Sequence, residues 1–394
     1  MKYYKSKAPG KILWLGGYSV VEPGNIGYVT TVDSYITAQV KLTENTDVVL
    51  NAPDLGLRAS GNINPSDATI NMDVPSELSL LLSTARVAAS LASSEGYKIT
   101  GFELTTSSDE AMLYKTIGGS ASKKVSKSGL GSSAAVAVSA TDAILSALGH
   151  ADAGKHMVHK LAQISHSIAT GKVGSGFDIA AATFGSIVYS RYNPSILKGL
   201  PQDFTPDDIK NTVNSDWGYT AESLPLPKIF SATVANFVGD STTTTKMVGS
   251  VNDFKMSSPD LYNALIKEMN AHAVSAVDSL KNISREVEID YNLQMFKEKS
   301  ALNRRFTKAL GAAARVNIEH DEATNLIEES EANGAFIARL PGAGGKDSIA
   351  ALSVGDNQKG KLESLWRSKE GIEVMKLGTS NSGLESNSSN PQTA

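Results

Sequence analysis

Three glycine-rich segments, near residues 10, 130 and 343, constrain this chain more than any other feature, because each borders predicted regular structure. The middle one, Lys127-Ser-Gly-Leu-Gly-Ser-Ser-Ala134, says most. Gly129 and Gly131 let the backbone come close to a ligand, and Ser132-Ser133-Ala134 opens an Ala-rich predicted helix. Unpaired N–H groups and the positive end of the helix dipole then face whatever sits above, which suits a polyphosphate. Ser132 or Ser133 could add a hydroxyl to the oxygen ligands of an accompanying Mg²⁺. The segment is not a P-loop, since the Gly-Lys-Ser/Thr ending is missing. Taken alone, it serves equally well as a tight turn before a buried helix.

With 394 residues the chain suits two medium domains. Its 41% hydrophobic and 20% charged residues are those of an ordinary globular protein. Lys plus Arg (37) against Asp plus Glu (41) leaves a net charge of −4, which argues against nucleic acid as a partner. The absence of Cys excludes disulfides, thiolate metal sites and thiol nucleophiles. No secretory signal is read at the N-terminus, and no run reaches the roughly 18 apolar residues that span a bilayer. A soluble, cytoplasmic protein without a membrane partner is expected.

Along the chain, Lys11–Gly16, Tyr28–Val32, Tyr35–Leu42 and Tyr97–Thr105 read as strands. Leu78–Ser94, Ser133–Leu148 and Ala151–Thr170 read as helices, with Gly149 as a stop signal. A second Gly-rich passage, Gly171-Lys-Val-Gly-Ser-Gly-Phe-Asp178, leads to the Ala run Ile179–Thr183 and a strand at Gly185–Tyr192. The Pro-, Asp- and Asn-rich stretch Asn193–Lys228 reads as a connection between domains. Beyond it come a strand (Ile229–Phe237), helices near Pro259–Ile283, Tyr291–Ala314 and Asp321–Asn333, and a hairpin-like element closing at Ile349–Val354. The expected domains are 1–225 and 226–378, with the Ser- and Asn-rich stretch 379–394 a mobile tail.

Three such loops in this order carry a resemblance. Ala8-Pro-Gly-Lys-Ile-Leu-Trp-Leu-Gly-Gly-Tyr18, the Lys127–Ala134 segment and Leu340-Pro-Gly-Ala-Gly-Gly-Lys-Asp347 resemble the three ordered motifs of the GHMP kinases. Within that superfamily, Leu161–Ser186 with its Gly-Ser-Gly-Phe-Asp block, and Phe237–Val248, are similar to phosphomevalonate kinases of the eukaryotic type. The resemblance covers roughly residues 8 to 354. It implies an α+β fold of two domains, the first like the second domain of ribosomal protein S5 and the second ferredoxin-like, with ATP in the cleft between them. It also implies a reaction, ATP plus 5-phosphomevalonate giving ADP plus 5-diphosphomevalonate.

Lys11 matches the lysine of the first motif and is expected as the cation between the two phosphates. Asp178 matches the aspartate used as a base by relatives with alcohol substrates. Here it is expected chiefly to hold Lys11, while a helix N-cap is the bland alternative. Lys127, Ser128, Gly129, Leu130, Gly131, Ser132, Ser133 and Ala134 are expected at ATP, with Ser132 also on Mg²⁺. Gly17, Tyr18, Lys172, Ser175, Gly176, Arg191, Lys246, Gly342, Ala343 and Gly344 are expected around the substrate. Arg191 offers a fork matched to phosphate or carboxylate.

One position departs from the pattern. Where mevalonate and homoserine kinases carry a Mg²⁺-binding glutamate, this chain has His166, and neutral imidazole is a poor Mg²⁺ ligand. Either Ser132 or Ser133 with ATP and waters holds the metal, or His166 touches a phosphate. His156, His159 and His166 on one helix lack the partners of a zinc site. The competing readings are a kinase for mevalonate or another phosphorylated mevalonate, and a non-catalytic ligand sensor on the same fold. A monomer or homodimer is expected.

Overall fold

A computed structural model describes residues 3–115, 125–127, 129–201, 203–238, 244–345 and 347–389. Its first sheet is built on two long antiparallel strands, β1 (Tyr3–Leu15) and β2 (Ile26–Leu42). Around them lie β3 (Asp47–Ala52), β4 (Leu57–Ile63), β5 (Ile70–Asn71) and β6 (Phe102–Ser108), then β9 (Ile187–Ser190) and β10 (Thr220–Ser223). The short pair β7 (Leu113–Lys115) and β8 (Val125–Lys127) stands apart. The sheet order is β10-β9-β2-β6-β3-β4-β5, with β1 also on β2. Only β3 and β6 pair in parallel among these strands, and the chain between them contains helix α1 (Ser79–Ser94), as a parallel crossover requires. The runs read as Tyr28–Val32 and Tyr35–Leu42 are one strand, continuous through Asp33 and Ser34.

Helices α1, α2 (Ser132–Ala147), α3 (Gly154–Thr170) and α4 (Phe177–Phe184) complete the layer on this sheet. Helix α2 is apolar nearly all round, which is the pattern of a buried helix, and its alanines allow close approach to α1, α3, β1 and β2. Asn193–Lys228 is not a bare connection. It holds α5 (Ser195–Lys198), α6 (Pro206–Asn214) and β10, and it buries Trp217. The local signal for α6 is a capping box: Thr205 Oγ1 accepts from Asp208 N, and Asp208 accepts from Thr205 N.

The second sheet, in order β12-β13-β11-β14, is antiparallel throughout: β11 (Phe230–Phe237), β12 (Ile337–Arg339), β13 (Ser348–Val354) and β14 (Ile372–Val374). With it go α7 (Thr244–Ser257), the long hairpin of α8 (Pro259–Ser284) and α9 (Ile289–Ala313), α10 (Asp321–Ala332) and α11 (Asp356–Arg367). Trp366 of α11 is fully buried and donates from Nε1 to Ser330 Oγ at 2.8 Å, tying α11 to α10. Among the described residues, no helix is long and apolar enough to cross a membrane.

Of the stretch 379–394 expected as a mobile tail, residues 379–389 form instead a strap over the first sheet, and residues 390–394 lie outside the described residues. Thr379–Ser380 forms β15 against β2, and Glu385–Ser389 forms β16 against β1. Backbone pairing and small hydroxyls do the work that apolar side chains do elsewhere. Asp142 of α2 accepts from Ser6 Oγ of β1 and from Ser386 Oγ of β16 at 2.6 Å. Ser380 O accepts from Thr31 Oγ1 and Ser186 Oγ. Asp142→Ala removes the acceptor for both hydroxyls. It is expected to cost about 1–3 kcal/mol, read as a lower urea midpoint, and truncation after Gly378 is expected to lower the midpoint further. An unchanged midpoint in both would detach the strap from the stability of the fold.

Candidate functional site

Strand β1 carries Lys11 into the interior, where it is only 5% exposed. Its backbone N–H donates to Leu130 O at 2.8 Å, so the first and second glycine loops are joined along the main chain. Its ammonium donates to Gly129 O at 2.9 Å and to Pro341 O at 3.3 Å. One side chain therefore links the loop before α2 to the loop after β12. The Phe177 ring lies 5.6 Å from the ammonium. Burial holds the Lys11 pKa below the usual lysine range, and the charges of Asp178 and then Asp347 offset this only in part.

Gly131 stands at the N-cap of α2 in the left-handed region, with φ +83°, and no side chain caps the helix. Ser132, Ser133 and Ala134 form the first turn, where N–H groups have no partner within the helix. A Cβ at Gly131 would sit 3.1 Å from Lys11 Cε and 3.2 Å from Lys11 Cγ, so only glycine lets the lysine pass beneath the helix start. Leu130 is buried and anchors this loop. Ser128 lies outside the described residues; Lys127 ends β8, and its side chain is not among those described.

The third loop meets the first through Tyr18, whose hydroxyl donates to Ala343 O at 2.9 Å. Burial raises the Tyr18 pKa, keeping it a neutral donor. Gly344 has φ +94°, and a Cβ there would lie 2.2 Å from Ile318 O. Beside this loop a narrow pocket is lined by Gly17, Gly342 and Gly344 together with Asn303, Arg304 and Arg339. Arg304 forms a two-pronged pair with Glu319 at 2.8 and 2.6 Å. Burial, with Arg304 adding to it, pushes buried Arg339 down to about 10.

Asp178 lies in the first turn of α4, where Gly176 is the N-cap, so it is not the capping residue. The expectation that it chiefly holds Lys11 changes in form. The hydrogen bonds of Lys11 go to carbonyls, and Asp178 acts on it through space. The turn before α4 is fixed by Gln163, which donates from Nε2 to Gly176 O at 2.9 Å. A Cβ at Gly176 would lie 2.6 Å from that nitrogen. Ser175 O accepts from Tyr189 OH at 3.3 Å.

The other expected cations are spread out. Lys172 is exposed. Arg191 is buried and donates to Val21 O and, at 3.1 Å, to Val173 O, joining the 3-10 turn Gly17–Val21 to the Gly-Ser-Gly segment. Lys246 falls in the first turn of α7, but its side chain is outside the described set. His166 is half-buried on α3. Burial, then the charges of His156 and Lys160, push His159 down to about 3, so it is neutral. Among the described residues, no three His, Asp or Glu side chains cluster as a metal site.

Sequence reasoning missed three residues here. Asp347 was quoted within the third motif but given no role. Gln163 was hidden in the apolar pattern of α3, and Arg339 in a short strand that reads as core.

Residues 84–186 match the GHMP kinases N terminal domain. A phosphomevalonate kinase of Saccharolobus solfataricus is 31% identical, over 94% of this chain and 95% of that protein. This chain belongs to the phosphomevalonate kinase family. A phosphomevalonate kinase of Candida albicans is 27% identical over 90% of each chain. The solved Streptococcus pneumoniae phosphomevalonate kinase, in complex with phosphomevalonate and AMPPNP, superposes with a TM-score of 0.75 at 18% identity. That match covers 95% of this chain and 99% of the other, and the shared architecture is the α+β GHMP kinase fold.

Two outcomes follow for this family member. Gly131→Ala forces a left-handed non-glycine residue, costing about 1–2 kcal/mol, against the Lys11 stem. It should weaken binding of a fluorescent ATP analogue about tenfold, and unchanged affinity would show that the close approach is not needed. For Glu319, burial pushes the carboxyl up, but the Arg304 bond and charge, with Thr324 and Lys308, bring it below the usual range. Its contribution to stability is then full above pH 4.5 and lost as pH falls through the lowered value. Glu319→Gln should flatten that acid limb of a melting-temperature profile.

Proposed function

We infer that this chain transfers the γ-phosphoryl group of ATP to the phosphate of 5-phosphomevalonate, giving ADP and 5-diphosphomevalonate in the mevalonate route to isoprenoids. The observation that carries the reading is the buried Lys11 ammonium between Gly129 O and Pro341 O, in a chain whose relatives of nearly equal length are phosphomevalonate kinases.

The acceptor is a phosphate monoester whose second pKa is about 6, so near neutral pH it is already a dianion. It needs little help in losing a proton. The obstacle is repulsion between two anions, and catalysis rests on placing cations and N–H donors where charge develops. An acceptor oxygen forms a bond to the γ-phosphorus while the bond to the β–γ bridging oxygen breaks, and ADP leaves with that electron pair. Lys11 has three donors, two held by carbonyls; the third serves the transferring group. The open first turn of α2, from Ser132 to Ala134, receives nucleotide phosphates, with Gly129, Leu130 and Gly131 shaping the approach.

Asp178 supports the charge on Lys11 and faces the acceptor, with base catalysis secondary. Gly17, Tyr18, Ser175, Gly176, Gly342, Ala343 and Gly344 form the walls on the acceptor side. Lys172, exposed beside Gly-Ser-Gly, is a cation free to meet the substrate's phosphate or carboxylate, with Lys246 as a second. Arg191 acts by holding Val21 and Val173 in place. Mg²⁺, when bound with ATP, neutralises phosphate charge. A serine hydroxyl at an uncapped helix start fits such an oxygen-preferring ion, and Ser132 is the proposed ligand. The proposal includes a cytoplasmic site of action. It also takes the domains as 1–225 and 226–378, with residues 379–389 returning to the first.

A panel of mevalonate, 5-phosphomevalonate and 5-diphosphomevalonate with ATP tests the acceptor, and turnover of mevalonate alone would overturn it. Lys11→Met is expected to lower kcat by about a hundredfold or more, of the order seen when one charge-stabilising group is lost. Asp178→Asn should lower kcat less, with little change in ATP affinity. Ser132→Ala should raise the KM for MgATP. Native turnover in Lys11→Met would remove that residue from the mechanism.

A further inference from the structure

Lys11 is an ammonium taken out of water, which favours losing its proton; its two carbonyl partners hold the charged form, and nearby negative charge adds to that support. Asp178 supplies some of that charge from α4. The third loop brings a second carboxylate. Asp347 lies immediately before β13, and its carbonyl accepts from Phe237 N at 3.1 Å, which fixes its backbone to the end of β11. Gly129 packs directly across it. A Cβ at Gly129 would be 3.3 Å from Asp347 Cβ, 4.0 Å from Asp347 Oδ2 and 3.0 Å from Ser348 Oγ. The carbonyl of the same Gly129 accepts from Lys11 Nζ. Asp347 and Lys11 thus both lie against the same glycine, Gly129.

We propose that Asp347 is the second carboxylate that keeps the Lys11 ammonium charged and seated at the junction of the loops, an electrostatic positioning role separate from that of Asp178. The proposal rests on the phosphoryl-transfer reading above. Among the described residues, the charged groups acting on Lys11 are Asp178 from α4 and Asp347 from the third loop, while the second loop offers it a carbonyl and α4 the Phe177 ring. The coupling is mutual: burial pushes the Asp347 carboxyl up, and Lys11 pulls it down. The two carboxylates differ in origin. Asp178 belongs to the layer that also carries Lys11, whereas Asp347 belongs to the second sheet. Lys11 therefore has its full electrostatic support only when the two layers are together, with the second and third loops closed on it.

The test is Asp347→Asn, which keeps shape and removes charge. With saturating ATP and 5-phosphomevalonate, the alkaline limb of kcat against pH should move down by about one unit, the size expected on losing one nearby opposite charge. Competitive acetylation of ligand-free enzyme, with the Lys11 peptide followed by mass spectrometry, should show its apparent pKa falling in parallel. That second readout needs no substrate, so it stands even if the acceptor is another molecule. Asp347→Glu should restore both toward the native values. Asp347→Ser, which also lacks the charge, should repeat the shift if the Asn variant folds poorly. A reduced kcat with an unmoved limb and an unmoved labelling midpoint would make Asp347 a structural residue and overturn the proposal, as would native behaviour of the uncharged variants at every pH.

Discussion

Everything at the centre of this molecule depends on one ammonium being held by two backbone carbonyls that come from different layers. Lys11 is fixed by its own strand, yet Gly129 O belongs to the turn before α2, and Pro341 O to the turn after β12. A buried cation is costly unless its donors are satisfied and opposite charge is near. The glycines follow from that requirement. Gly129 and Gly131 both sit at positive φ, and a side chain at Gly131 would crowd the lysine stem while one at Gly129 would crowd Ser348 and Asp347. Loops that look from sequence like generic phosphate cradles are thus also shaped to let a protein cation pass between them.

The second constraint is on entry and exit of the chain. After β10 it crosses to the second sheet, and after β14 it returns to lay β15 and β16 on the first. Asp142, inside the helix whose start is proposed to receive the nucleotide, is the point where β1, α2 and the returning strand share hydrogen bonds. The proposed site at the start of α2 and the hydrogen bonds further along it therefore belong to the same element.

Much of this was legible in the sequence. The long helices α1, α3, α8 and α9 announced themselves by apolar period, and the three glycine loops by their flanks. The strands β3 and β4, and helix α11, were not read at all. The strap was misread because residues 379–389 contain almost nothing apolar, and its pairing is with backbone and with a buried carboxylate far away in sequence. Asp347 and Gln163 escaped for a related reason: each lies against a glycine, Gly129 and Gly176, that only the fold brings to it. Asp178 shows the opposite case. It was expected to hold Lys11, but carbonyls take the hydrogen bonds of the ammonium, a geometry that residue identity does not encode.

The return of β16 to β1 also orders the protein's own manufacture. On the ribosome, β1 emerges before the other strands of its sheet, but the strand that covers its outer edge is translated only after the whole second sheet and its helices. Until then the nascent first sheet presents an open row of N–H and C=O groups, a template for unwanted pairing. The hydrophilic, hydroxyl-rich character of β16 lets that later strand wait in water without collapsing and then zip onto the edge of β1.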